Sequence, residues 1–238
     1  MTAKLRYLAY LTEQPDALAI FYGKHLQFDE IMRSPTGDVS LTDGFTKLSL
    51  FRSREDLGEA HMVTGPHHIG FEVESIEKVK ARFRRLCPRG VIVPESGKHR
   101  GDVRFYDPEC HPISLSEKAF GLAPKPDAAS TLRYLAFGAL DPAALADFYV
   151  GVFGLRAIAE TASSDAKARP GKLVTDGNVV LAFYDYFAPA AGLNARYGLT
   201  RCGFATPNTT GRADLADPDG TAIILAKPDS TGVETWHG

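Results

Sequence analysis

Residues Leu5 to Tyr10 read LRYLAY, and Leu132 to Phe137 read LRYLAF. Two copies of one apolar six-residue segment, one in each half of the chain, mark an internal duplication, and a repeat constrains a fold more than any local propensity. Other features recur in the same order. A proline-started amphipathic segment carries Phe21-Tyr22 in the first half and Phe148-Tyr149 in the second. Thr-Asp-Gly follows at 42–44 and again at 175–177, and Asp-Pro at 107–108 and again at 217–218. A chain built this way folds as two related modules.

Within the first half the spacing reads as strand, helix and short strands, taken twice. Leu5 to Leu11 is a strand, and Leu18, Phe21, Tyr22 and Leu26 make one helical stripe behind Pro15. Strands at 38–41 and 45–52 flank the Thr-Asp-Gly turn, with room for another at 28–33. The second unit has a strand at 68–73, then a helix capped by Ser75 with Ile76, Val79, Phe83 and Leu86 inward. The lysines and arginines on the other side of that helix read as a solvated face. Strands at 91–93, 102–106 and 112–115 complete it.

The second half repeats the plan, with Asp141 as N-cap, Pro142 as first helical residue and Gly154 as the stop. Its last unit is short. From Phe71 to Asp107 is 36 residues, but from the matching Phe204 to Asp217 only 13. A helix and a strand are missing there. The expected fold is α+β, with tandem βαβββ units forming two cup-shaped mixed sheets, the second truncated. The expected domains are a first module at 1–118, a linker at 119–130 and a second module at 131–238.

Composition narrows the function classes. With 44% hydrophobic and 24% charged residues this is ordinary globular composition. A formal charge of -2 gives no electrostatic reason to expect nucleic acid or a membrane surface as partner. Cys87, Cys110 and Cys202 are odd in number and lack paired spacing, which argues against a disulfide framework or a cysteine metal site. The start of the sequence shows no signal-peptide pattern, and no apolar run approaches the roughly 20 residues of a membrane span. A cytoplasmic location is the expectation.

The repeated strand, the Phe-Tyr helices and the Asp-Pro turns resemble the vicinal oxygen chelate superfamily, which includes glyoxalase I, bleomycin-resistance proteins, fosfomycin-resistance transferases and extradiol dioxygenases. The resemblance implies cups whose concave faces hold a divalent metal on His, Glu or Gln from the first and last strand of each unit. Carried over, those positions fall on Tyr7, Ser49, His68 and Ser114 in the first half, and on Tyr134, Ala182, Arg201 and Ile224 in the second. Only His68 is a ligand of the usual type, whereas a catalytic divalent ion needs about three. Arg104 and Cys110 also replace the tyrosine and glycine of the dioxygenase signature.

The leading expectation is therefore a metal-independent protein binding a small aromatic or oxygen-rich molecule, with no cofactor. Tyr7, Ser49, His68 and Ser114 form its polar ring, and His68 as base with Tyr7 as donor are the candidate catalytic pair. Tyr134, Arg201 and Tyr184 offer a second pocket for an anionic or planar ligand. The alternative is a metal-dependent dioxygenase, lyase or isomerase that holds Fe, Mn or Zn with His68 and unorthodox ligands such as His67, His111 or Glu109. A third reading is a structural partner without ligand. His67 and His68, as strand neighbours, are expected on opposite faces, and His111 and Glu109 in a solvent-facing turn. The truncated unit leaves an open sheet edge, for which a homodimer is the expected cover.

Overall fold

The computed structural model describes residues 3–53, 64–94, 101–123, 131–159, 171–187, 197–207, 209–228 and 236. The first half contributes β1 (Lys4–Thr12), α1 (Pro15–Leu26), β2 (Asp29–Arg33), β3 (Val39–Thr42) and β4 (Lys47–Arg52). Its second unit is β5 (Gly65–Glu72), α2 (Ile76–Leu86), β6 (Ile92–Pro94), β7 (Val103–Tyr106) and β8 (Pro112–Ser116). These strands form one eight-stranded mixed sheet in the order β2-β3-β4-β1-β5-β8-β7-β6. The first strands of the two units, β1 and β5, meet antiparallel at its centre.

The second half supplies β9 (Leu132–Ala139), α3 (Pro142–Phe153), β10 (Arg156–Ala157), β11 (Lys172–Thr175), β12 (Val180–Asp185), β13 (Gly198–Ala205), β14 (Ala213–Ala216) and β15 (Ala222–Ala226). They make a seven-stranded sheet, β10-β11-β12-β9-β13-β15-β14, with β9 and β13 antiparallel at the centre. The fold class is the α+β arrangement read from the repeat. Among the described residues no helix lies between β13 and β14, and the sheet ends there one strand short of its counterpart. The two-residue β10 is the one strand of this half without a counterpart in the spacing argument.

Strand alternation sends one set of side chains toward the helices. Leu48 and Leu50, Ile69 and Phe71, Ile113 and Leu115 join a single buried cluster that also contains Leu135, Phe137, Tyr149, Phe153 and Phe204. The helices cross between halves. Phe153 of α3 stacks on Phe71 of the first sheet at 4.8 Å, and Tyr22 of α1 meets Phe204 of the second edge-on at 5.9 Å. Helix α2 also packs on α3, closely enough that a Cβ on Gly151 would stand 2.7 Å from Leu86 Cδ1. Among the described residues unit four has no such helix, and Ile20 of α1 is 71% exposed.

The repeated motifs prove to be fasteners between the halves. In each Thr-Asp-Gly turn the threonine hydroxyl donates to a carbonyl across the turn, and the glycine takes the positive φ that a side chain disfavours. One aspartate oxygen accepts from its own turn, Phe45 N for Asp43 and Asn178 N for Asp176. The other oxygen accepts from the opposite half: Asp43 from Thr131 N at 2.7 Å, Asp176 from Leu5 N at 2.8 Å. Each therefore holds the other module's first strand.

The Asp-Pro turns do the same for the helices. Tyr22 of α1 donates to Asp217 at 3.1 Å, and Tyr149 of α3 donates to Asp107 at 3.3 Å. With its single proton directed at the Asp217 carboxylate, the Tyr22 hydroxyl accepts from the Tyr10 hydroxyl at 2.7 Å. Burial pushes the Tyr22 and Tyr149 phenols well above their usual range, and it raises the Asp217 carboxyl. No helix among the described residues is long and apolar enough to cross a membrane.

Candidate functional site

Side chains that alternate with the core residues line the concave face of the first sheet. Strand register sets them in rows. One row runs Lys47, Tyr7, Gly70, Ser114 and Arg104 across β4, β1, β5, β8 and β7. The adjacent row runs Ser40, Ser49, Ala9 and His68. The four positions singled out in the first half thus share one face: Tyr7, Ser49, His68 and Ser114 are all buried. The Tyr7 and His68 rings lie 5.5 Å apart, and the Ser49 and Ser40 hydroxyls lie 3.2 Å apart. The Ser114 hydroxyl is enclosed with no hydrogen-bond partner among the described residues.

Two features of this face were missed by the spacing argument. The first is Lys47, 1% exposed, whose ammonium donates to the Phe120 carbonyl at 3.2 Å. Desolvation pushes its pKa down to about 8. The second is Phe120. After β8 the chain makes a 3-10 turn at Ala119–Gly121, with Ser116 Oγ accepting from Lys118 N and Phe120 N. Ala119 and Phe120 both take left-handed backbone, φ 46° and 56°, which side-chain-bearing residues disfavour. The turn lays the Phe120 ring flat on Tyr7, centroids 4.7 Å apart and planes 11° apart. Gly70 is what admits it, since a Cβ there would stand 2.6 Å from Phe120 Cζ.

Lys47 lends itself to a direct test. Replacing it with methionine keeps the volume and removes a desolvated charge, so Lys47→Met is expected to stabilise the protein at pH 7 by about 1 kcal/mol. For a chain of this length that is roughly 2–4 °C in melting temperature. The pH dependence has a definite sign. The unfolded lysine titrates near 10.5 and the folded one near 8, so between those values the unfolded chain holds more protons. Wild-type stability therefore gains from this group as pH rises through that window, and the variant's advantage shrinks there. A melting difference that is flat from pH 7 to 10 would contradict the assignment.

The histidines are arranged differently from the alternation argument. β1 and β5 slip register between Ala9 and Tyr10, so His68 faces Ala9 while Pro66 faces Tyr10. His67 is the extra residue of that irregularity, and such a bulge re-aims its side chain. Its Nδ1 lies 2.8 Å from His68 Nδ1, so the two imidazoles meet instead of pointing apart. His111 is half-buried, not on an open turn, because Asp107 takes its Nδ1 at 2.9 Å and Tyr197 covers its ring. Glu109 accepts from Leu140 N and Asp141 N, at the entry to α3. Both belong to the joint between halves. His61 and His99 lie outside the described residues.

The second cup is closed with carbon. Trp236 stacks on Tyr134, planes 10° apart, over Gly203, where a Cβ would come within 2.7 Å of the indole. Val180 occupies the register position beside Tyr134 that Lys47 occupies beside Tyr7. Tyr134 and Tyr184 share a hydroxyl contact of 2.6 Å, and burial pushes both phenols up. Arg201 is half-buried in β13 between Ala136 and Ala222.

The donors gathered on the first face do not suit a divalent cation. They are an imidazole pair, hydroxyls and a phenol, with an ammonium in the same row. Carboxylates and additional imidazoles are what such ions take. Among the described residues, no group of three or more His, Cys, Asp or Glu side chains is placed to hold a metal.

Residues 4–115 match the family Glyoxalase, described as the Glyoxalase/Bleomycin resistance protein/Dioxygenase superfamily. A search of curated proteins gives no match. Among solved structures, the 2,3-dioxygenase LapB from Pseudomonas sp. KL28 is similar with a TM-score of 0.64 at 16% identity, over 95% of this chain and 93% of that one. The Mn(II)-bound glyoxalase from Novosphingobium aromaticivorans superposes with a TM-score of 0.67 at 12% identity, covering 95% and 82%. An extradiol ring-cleaving dioxygenase from B. fuscum gives 0.63 at 15%, covering 95% and 72%. At these identities the likeness is one of fold.

Proposed function

Starting from a chain whose residues 4–115 match the Glyoxalase/Bleomycin resistance protein/Dioxygenase superfamily, we propose that it binds a small aromatic or oxygen-rich molecule in its first module without a metal ion. The module is taken as residues 1–118, joined through 119–130 to a second module at 131–238. The observation that carries this reading is the buried polar face of the first sheet. Its four metal-ligand positions hold a phenol, two hydroxyls and one imidazole, beside a buried lysine. A ring that takes the place of Phe120 can lie against Tyr7 there, and Ser49, His68 and Ser114 can bond its oxygens. In the second module, Tyr134 and Arg201 are assigned a supporting part only, since Trp236 packs on the tyrosine.

The test is a thermal-shift screen of planar aromatic and polyoxygenated compounds against the full chain, because a ligand of the folded state stabilises it by mass action. A hit whose shift disappears in Tyr7→Ala supports the reading. No shift across the panel at millimolar concentration counts against it. The alternative, a metal-dependent dioxygenase, lyase or isomerase with His68 and Tyr7 in catalysis, has one observation on its side: the bulge brings His67 to His68. Metal analysis of protein purified without chelator decides between them. Stoichiometric iron, manganese or zinc that is lost in His68→Ala would replace the first reading with the second. The proposal includes a cytoplasmic location and a homodimer along the open β14 edge, and a monomer mass by light scattering would remove the dimer.

A further inference from the structure

Building on the first-module reading, we propose that Phe120 is an internal stand-in for the ligand, and that the cup takes an arylalkanoate: a planar ring joined by a short chain to a carboxylate. Phe120 places two groups on the face at once. Its ring stacks on Tyr7, and its carbonyl oxygen accepts from the Lys47 ammonium at 3.2 Å. Two carbons separate ring and carbonyl in a phenylalanine residue, so the free molecule of matching span is 3-phenylpropanoate.

A carboxylate does better than an amide carbonyl in that place, because a hydrogen bond between two charged groups is shorter and stronger. Tyr7 would keep its stacking partner, and Gly70 leaves the clearance that a flat ring needs. Ser114, buried next to Gly70 in the register and without a partner among the described residues, is a hydroxyl left over for an oxygen of the ligand. Phe120 itself is held in left-handed backbone that its side chain disfavours, so yielding the site relieves strain. The second cup serves as an internal contrast. It has the same stacked aromatic over the same tyrosine and glycine, but Val180 stands at the register position of Lys47, so the ammonium contact made beside Tyr7 has no counterpart beside Tyr134.

Calorimetric titration of the full chain with 3-phenylpropanoate and with neutral 3-phenylpropan-1-ol tests this. Removing the internal competitor in Phe120→Ala should tighten binding of the carboxylate at least tenfold over wild type, since apparent affinity scales with the fraction of open cup. In that variant the carboxylate should bind at least tenfold better than the alcohol, and Lys47→Met added to it should abolish the preference. Phe120→Leu, which keeps a buried apolar side chain but no flat ring, should fall between wild type and alanine, and it carries the same comparison if the alanine variant does not fold. Equal binding of acid and alcohol in the opened cup overturns the ligand class and leaves the first-module reading standing. Binding in the opened variant no tighter than in wild type overturns the stand-in role. Failure of both compounds, together with every member of the thermal-shift panel, overturns both.

Discussion

Phe71→Ala is expected to destabilise the protein by about 3–5 kcal/mol, the cost of deleting a fully buried aromatic ring and leaving a cavity. Phe71 is 0% exposed on β5, stacked on Phe153 of the other half and 6.2 Å from Tyr149. The loss should appear in both halves together. The chain has a single tryptophan, and Trp236 packs in the second cup, in a different apolar cluster from Phe71. In urea, Trp236 fluorescence and far-ultraviolet circular dichroism should move in one coincident transition, displaced to lower denaturant. If tryptophan fluorescence kept its wild-type midpoint while helical signal was lost early, the shared core between the sheets would not be one cooperative unit.

Asp107→Ala is the second large expectation. This buried carboxylate accepts from Glu109 N, His111 N and His111 Nδ1, each at 2.9 Å, and from the Tyr149 hydroxyl at 3.3 Å. Taking away the acceptor strands several enclosed donors, each worth about 1–3 kcal/mol when left unmade, though local relaxation keeps the total below a simple sum. A loss of roughly 2–4 kcal/mol should follow by chemical denaturation. Tyr149→Phe should cost only about 1 kcal/mol, since the carboxylate retains its other partners. Combined in a double-mutant cycle, the two changes should fall short of additivity by about 0.5–1 kcal/mol. Strict additivity would mean that the Tyr149 contact does nothing for the joint.

The architecture was legible because the duplication gave every element a second witness. Alternation in Lys47–Arg52 and Pro112–Ser116, the Ser75 cap, which accepts from Lys78 N, and the Asp141 and Gly154 ends of α3 are local chemistry, and local chemistry can be read from order alone. The site was half legible. Ser49 was assigned to the cup, and a period of two puts Lys47 on the same face, so that lysine could have been found. A comparison of metal-ligand positions passes over it, because an ammonium is no ligand. Phe120 carried no comparable sign, since its place over Tyr7 depends on how the chain doubles back after β8. The meeting of His67 with His68 was hidden for another reason: a bulge breaks the alternation on which the expectation rested. The recurring tyrosines and aspartates were noticed as landmarks, but that each bonds its opposite number across the halves required the packing of both sheets.

Because no helix lies between β13 and β14 among the described residues, two matching positions of the repeat have different surroundings. Lys24 follows Phe21-Tyr22-Gly23 as Gly151 follows Phe148-Tyr149-Val150. On α3 a neighbouring helix brings Leu86 Cδ1 within 2.7 Å of where a Cβ on Gly151 would stand, so a side chain there must displace the leucine, while on α1 the matching lysine stands exposed. Added bulk at the first site meets a packed neighbour, whereas the second can take any good helix former. Among relatives, variation is therefore expected to be broader along the outer face of α1 than along the face of α3 that another helix covers.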